Sequence, residues 1–268
     1  MSRIETTFKA LQQRAETALI PFITAGDPDL PTTRRLVRVL EQSGADLIEL
    51  GMPFSDPMAD GPTIQASSER ALAGGTTLEQ VLELVAEIRR ESQIPLVLMG
   101  YYNPIFRYGA ERFCAAAAAA GVDALLLVDL PAEETEEIGP LLEHHGLALI
   151  TLLAPTTLAE RRRRLVATAQ GYIYYVSMTG VTGAQPIAPT AISTVVSELQ
   201  QSSPVPVAVG FGIATPADAR AVGQFADGVV VGSALVKIVA EYGRSAELLP
   251  RVAEFIGALK QGLTTPAP

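Results

Sequence analysis

The sequence predicts an α/β fold, a closed (β/α)8 TIM barrel with an extra N-terminal helix, and three observations carry that prediction. Eight short apolar runs recur along the 268 residues, each bounded by Gly, Pro, Asp or Ser. Amphipathic stretches of helical period alternate with the runs. No linker or low-complexity segment divides the chain, so residues 1–268 read as one domain of normal length for such a barrel.

The apolar runs are "ALIPFIT" (18–24), "ADLIELG" (45–51), "PLVLMGY" (95–101), "DALLLVDL" (123–130), "LALITLLA" (147–154), "YIYYVS" (172–177), "VPVAVGFG" (205–212) and "DGVVVGS" (227–233). They are too short for core helices and read as parallel strands buried on both faces. Helices are expected over Pro31–Ser43, Thr77–Ser92, Gly109–Ala120, Glu133–His145, Leu158–Ala169, Thr190–Gln201 and Pro216–Phe225, with a last one from Ala234 to about Gln261. Start signals such as "DLPTTRR" and "TPADAR" place Asp or Thr at the cap with Pro close by. Gly44, Gly121, Gly146 and Gly171 follow helices where a left-handed residue is wanted. Met1–Arg14 is the extra helix, expected to cover the bottom of the barrel. An open doubly wound sheet is the rival fold; it wants a glycine-rich turn after the first strand, where this chain has "TAGDPDLP".

Hydrophobic content of 48% and a mean hydropathy of +0.27 support a large core and argue against disorder. A net charge of −9 argues against nucleic acid or an anionic membrane as partner. It leaves room for a small anionic ligand held by backbone dipoles. Cys114 is the single cysteine, so no intrachain disulfide or multi-cysteine metal site is expected. No metal-ligand spacing and no Ser-His-Asp or Cys-His arrangement is apparent; His144 and His145 end an outer helix, and "ERRRR" (160–164) reads as a solvated or subunit-contact face. The polar start fits no secretory signal and no apolar run reaches 18 residues, so a cytoplasmic chain is expected.

Catalytic groups of a barrel sit at the C-terminal ends of its strands. Three features fall there. First, the glycine-rich ends "SMTGVTGAQ", "VGFGIATP" and "VGSALVK" expose backbone N–H groups at one rim, and Gly232-Ser233 opens the last helix, whose dipole favours an anion. No Arg or Lys stands beside the glycines of these turns, so the backbone and Ser233 are expected to carry a phosphate. Second, Glu49 lies two residues before the end of the second strand and Asp60 in the long loop after it. A salt-bridged structural role for Glu49 and an Asp-Gly turn for Asp60 are the competing readings. A carboxylate at the end of an apolar strand on the catalytic rim favours chemistry, given its desolvation cost. Third, Phe22, Ile64, Tyr101, Tyr102, Tyr174 and Tyr175 supply apolar and aromatic lining for a flat ligand, although only one of the last two can face the interior.

Seven blocks in this order resemble the tryptophan synthase alpha chain family: "PFITAGDP", "ELGMPFSDPMADGPTIQ", "GYYNPIFRYG", "VDLP", "VSMTGVTGA", "GFGI" and "GSALVK". The similarity runs from about Ser2 to Gly262. It implies a lyase of tryptophan biosynthesis that cleaves indole-3-glycerol phosphate to indole and glyceraldehyde 3-phosphate without a cofactor or metal. By resemblance, Glu49 serves both proton transfers and Asp60 faces the indole N–H. Phe22, Ile64, Tyr101 and Leu126 sandwich the ring, and Tyr174 is a substrate-site residue next to Glu49. Gly183, Gly212, Gly232 and Ser233 hold the phosphate, and Phe211 is a further substrate-binding residue. Thr182 and Gly183 belong to a closing sixth loop. The family's partner is a beta chain bearing pyridoxal phosphate, in an α2β2 heterotetramer, and Pro53 and Asp56 are expected to face it. The alternatives are a stand-alone lyase releasing free indole, a non-catalytic subunit that only activates a partner, and a different sugar-phosphate barrel enzyme. The last lacks the "PFSDPxADGP" loop and usually needs a metal or a lysine.

Overall fold

The computed structural model describes residues 1–176, 189–210 and 212–264. Eight strands, β1 (Ala18–Thr24), β2 (Ile48–Gly51), β3 (Leu96–Gly100), β4 (Ala124–Leu127), β5 (Ala148–Leu153), β6 (Gln170–Val176), β7 (Val207–Gly210) and β8 (Gly228–Val231), pair in parallel in chain order. β8 returns to β1, with Ala18 opposite Gly228, and the barrel closes. Side chains alternate along each strand. Ala18, Ile20, Ala124, Leu126, Ala208 and Val230 fill the interior, while Leu19, Ile23, Leu125 and Val229 face the surrounding helices.

The helices of that outer layer are α2 (Leu30–Gln42), α3 (Pro62–Ala73), α4 (Leu78–Arg89), α5 (Tyr102–Tyr108), α6 (Ala110–Ala120), α7 (Gly139–His144), α8 (Ala159–Ala167), α9 (Pro189–Ser202), α10 (Pro216–Gly223), α11 (Ser233–Tyr242) and α12 (Leu248–Thr264). The expected N-terminal helix is α1 (Arg3–Gln13), started by a capping box in which Ser2 and Glu5 satisfy each other's backbone N–H. Its buried Ile4, Phe8 and Leu11 join the interior cluster and plug the barrel bottom, each contributing on the order of 2 kcal/mol by burial.

The strand bottoms share one device. Asp46, Asp123 and Asp227, each just before an even-numbered strand, accept from the backbone N–H of Leu19, Leu96 and Val207 on the preceding strand, all at 2.8 Å. Gln170 does the same more loosely for Leu149, at 3.4 Å. Arg89, Arg3 and Lys260 neutralise two of these carboxylates.

The helical layer departs from the sequence expectation in three places. The helix expected over Glu133–His145 is a 3-10 turn (Ala132–Glu134) followed by the short α7, because the clustered glutamates repel and Pro140 requires a fresh helix start. The helix expected from Ala234 to Gln261 is two, α11 and α12, broken at Gly243. Helices α3 and α5 arise in the loops after β2 and β3, where the sequence reading has none. α3 starts at Gly61-Pro62, a favourable N-terminus, but its "PTIQASSERALA" lacks the apolar stripe that marks a helix. Among the described residues no helix is long and apolar enough to cross a membrane.

Candidate active site

Glu49 projects from β2, paired in register with Phe22 of β1, and is completely buried. Across the barrel, the Tyr172 hydroxyl of β6 donates to Glu49 Oε1 at 2.6 Å. Glu49 Oε2 has no protein partner. The register between β5 and β6 slips beside Tyr172: Ile150 faces Gln170, while Thr151 already faces Ile173. Such an irregularity re-aims side chains next to sites. From below, Phe8 of α1 packs in a tilted ring contact on Tyr172, 6.0 Å between centroids, so the plug helix supports the carboxylate's partner.

Asp60 ends the loop between β2 and α3. The Tyr101 hydroxyl, at the top of β3, donates to Asp60 Oδ2 at 3.0 Å and accepts from the Ala59 N–H at 3.0 Å. Gln65 of α3 holds the loop's other side by donating to the Asp60 carbonyl at 2.8 Å. Farther along α3, Ser67 bonds Thr24 at 2.7 Å and Arg70 forms a two-pronged pair with Asp27, fixing the helix to the end of β1.

Both carboxyl groups open on one cavity of about 780 Å3 at the C-terminal mouth of the barrel. Phe22, Ile64, Leu126, Tyr174, Gly212, Gly232 and Ser233, each expected from sequence, line it too. Tyr101 does not; it stands behind Asp60 as a hydrogen-bond partner rather than against the ligand space. Thr182, Gly183 and Phe211 lie outside the described residues. Tyr174 is the one of the adjacent tyrosines that packs with the interior cluster, whereas Tyr175 packs outward. Gly210 on β7 makes that possible, since a Cβ there would sit 2.0 Å from the Tyr174 hydroxyl. Gly212 takes φ of 64°, a left-handed turn on the wall beside Gly232 and Ser233.

Burial dominates the electrostatics. It lifts the Glu49 carboxyl from 4.5 to about 7, against the opposing pull of the Tyr172 hydrogen bond. Asp60 is also raised by burial, with the Tyr101 hydrogen bond pulling it back. Two carboxyl groups in one cavity thus hold different positions, Glu49 enclosed at the floor and Asp60 at the rim. A group titrating near neutrality suits proton transfer in both directions.

Two side chains of this site, Tyr172 behind Glu49 and Lys237 on the cavity wall, escape the sequence reading. Tyr172 is two residues before Tyr174 on the same strand face, and that spacing is the signal that could have found it. Lys237 lines the cavity from α11, four residues after Ser233. It lies outside the glycine turns and so outside the search for cations in them.

The family model for the tryptophan synthase alpha chain matches residues 8–264. The chain belongs to the tryptophan synthase alpha chain family. It is 56% identical over 263 residues to the tryptophan synthase alpha chain of Geobacter sp. (strain M21), covering 98% of each. It is 53% identical over 265 residues to that of Xanthomonas euvesicatoria, covering 98% of this chain and 99% of the other. Among solved structures, tryptophan synthase subunit alpha from Legionella pneumophila str. Paris superposes with a TM-score of 0.91 at 40% identity, covering 98% of both chains. A Mycobacterium tuberculosis tryptophan synthase structure gives 0.90 at 36% identity, covering 99% of both. As a family member the chain is a carbon–carbon lyase of tryptophan biosynthesis that cleaves indole-3-glycerol phosphate, and it functions with a beta chain.

Proposed function

We propose that Glu49 carries out both proton transfers of indole-3-glycerol phosphate cleavage and that Asp60 stabilises the charge that develops between them. The observation that carries the reading is Glu49 itself: fully buried, held through one oxygen by Tyr172, and free at the other. With its pKa near 7, a sizeable fraction holds a proton at neutral pH.

Protonated Glu49 gives its proton to indole C3, which leaves the ring cationic at its nitrogen. The new carboxylate then takes the proton of the hydroxyl on the adjoining glycerol carbon. As the aldehyde C=O forms, the bond from that carbon to C3 breaks and its electron pair returns to the ring, cancelling the positive charge. Indole and glyceraldehyde 3-phosphate result, and Glu49 ends protonated as it began. The Asp60 carboxylate faces the indole N–H and favours the cationic intermediate, a stabilisation worth most in a water-poor cavity. Phe22, Ile64, Leu126 and Tyr174 hold the ring, and the turns at Gly212 and Gly232-Ser233 bind the phosphate at the start of α11.

The beta chain of the reading bears pyridoxal phosphate and joins two alpha chains in an α2β2 heterotetramer. Support for docking at the catalytic face comes from Met58, after β2, and Phe106 of α5, after β3, which are 79% and 63% exposed. Pro53 and Asp56 share the first of these loops, and Asp56 is exposed. The proposed compartment is the cytoplasm, where the free, buried Cys114 stays reduced. Indole release from indole-3-glycerol phosphate, with and without a beta chain, tests the reading. Strong stimulation by the partner fits a synthase subunit; full activity alone with no stimulation would point to the stand-alone lyase.

A further inference from the structure

We propose that Lys237 is the cationic anchor for the substrate's phosphate, a binding residue that the glycine turns alone do not replace. Among the described residues lining the cavity, three have acidic or basic side chains: Glu49, Asp60 and Lys237. Both acids come from β2 and the loop after it, the end assigned to the indole. Lys237 comes from α11, one turn after Ser233, so the cavity has an acidic end and a basic end.

The helix geometry aims the ammonium. Leu235, Val236 and Val239 are buried against the barrel and fix the rotation of α11. Residues four apart share a helix face, and helical side chains lean back over the preceding turn. Lys237 is thereby directed toward the turn at Gly232-Ser233, where the helix N-terminus also favours an anion. Lys237 is exposed at the cavity wall, and no hydrogen bond or ion pair within the described residues occupies it, whereas Arg70, Arg89 and Lys260 are each paired with a carboxylate. The charge is available to a ligand. In a protein of net charge −9, such a local cation also offsets the repulsion that an incoming dianion meets. The same polarity sorts the substrate's two ends, with the phosphate toward Lys237 and the indole N–H toward Asp60.

The inference rests on the proposed phosphate-ester substrate, and two probes separate the two claims. The first is calorimetric titration of inorganic phosphate into wild type, Lys237→Met and Lys237→Arg, which needs no catalysis. Lys237→Met is expected to bind phosphate roughly two- to fivefold more weakly, the range of an exposed ion pair, with Lys237→Arg restoring most of the loss. The second is indole release. For Lys237→Met, kcat/KM should fall by a similar factor through KM, and the dependence of KM on salt should flatten relative to wild type. Cleavage of phosphate-free indole glycerol should proceed alike in both proteins, which a merely structural role for the lysine would not produce. Equal phosphate affinity in wild type and Lys237→Met, or an equal loss on the phosphate-free substrate, overturns the anchor. Failure of wild type itself to release indole would instead overturn the substrate reading.

Discussion

Replacing Glu49 by Gln should make the protein's stability respond differently to pH, and the size of the effect follows from the carboxyl's position. Burial raises its pKa from 4.5 to about 7. The folded state therefore favours the protonated form. The stability from this group is fully present below about pH 4.5 and is lost as pH rises through 7. At about 1.36 kcal/mol per pH unit of linkage, raising the pH from 5 to 8 costs wild type about 2.5 kcal/mol through Glu49. The Gln variant has no such proton to lose. With about 2.1 cal/mol/K of unfolding entropy per residue, that difference corresponds to about 4 °C in Tm. The assay is thermal unfolding of both proteins at pH 5 and pH 8. The Tm of Glu49→Gln relative to wild type should rise by about this amount between the two conditions. Parallel pH dependence in the two proteins would refute the claim that Glu49 titrates near neutrality in the fold.

Tyr172→Phe removes the hydrogen bond that holds Glu49 below the value burial alone would set. Hydrogen bonds to charged groups contribute about 1.5–3 kcal/mol, so the Glu49 pKa should rise by about one to two units. The limb of the kcat–pH profile assigned to Glu49 should move to higher pH; an unmoved limb would exclude Tyr172 from tuning the acid. Asp60→Asn keeps the shape of the Tyr101 contact but removes the charge facing the indole nitrogen. A loss of about 100- to 1,000-fold in kcat is expected, and a loss under about tenfold in steady-state indole release would remove Asp60 from the charge-stabilising role.

The barrel was legible because its strands are buried on both faces and its breaks are marked by Gly, Pro and Asp. Glu49 stood out for the same reason, as a carboxylate in a run that otherwise reads Leu47, Ile48 and Leu50. The helical layer was less legible where helices are short or weakly amphipathic, as with α3 and α7. Tyr172 was hidden by its ordinary appearance as one more apolar strand residue; only the partner across the barrel gives it a role. Tyr101 shows the reverse. Its place at the top of β3 was readable, but whether its hydroxyl faced a ligand or Asp60 depended on where the loop from β2 settled. Lys237 was missed although Gly232-Ser233 was read as opening the last helix, because only the fold shows that the residue four positions after Ser233 borders the cavity.

The central claim is that one carboxyl at the floor of the barrel works both proton transfers. Its most direct test is single-turnover indole release by Glu49→Gln, with indole-3-glycerol phosphate binding measured on the same protein. The account predicts that binding persists while cleavage falls by about 1,000-fold or more, since one substitution disables both the acid and the base. Cleavage within about tenfold of wild type would contradict it and move the proton transfers to another group.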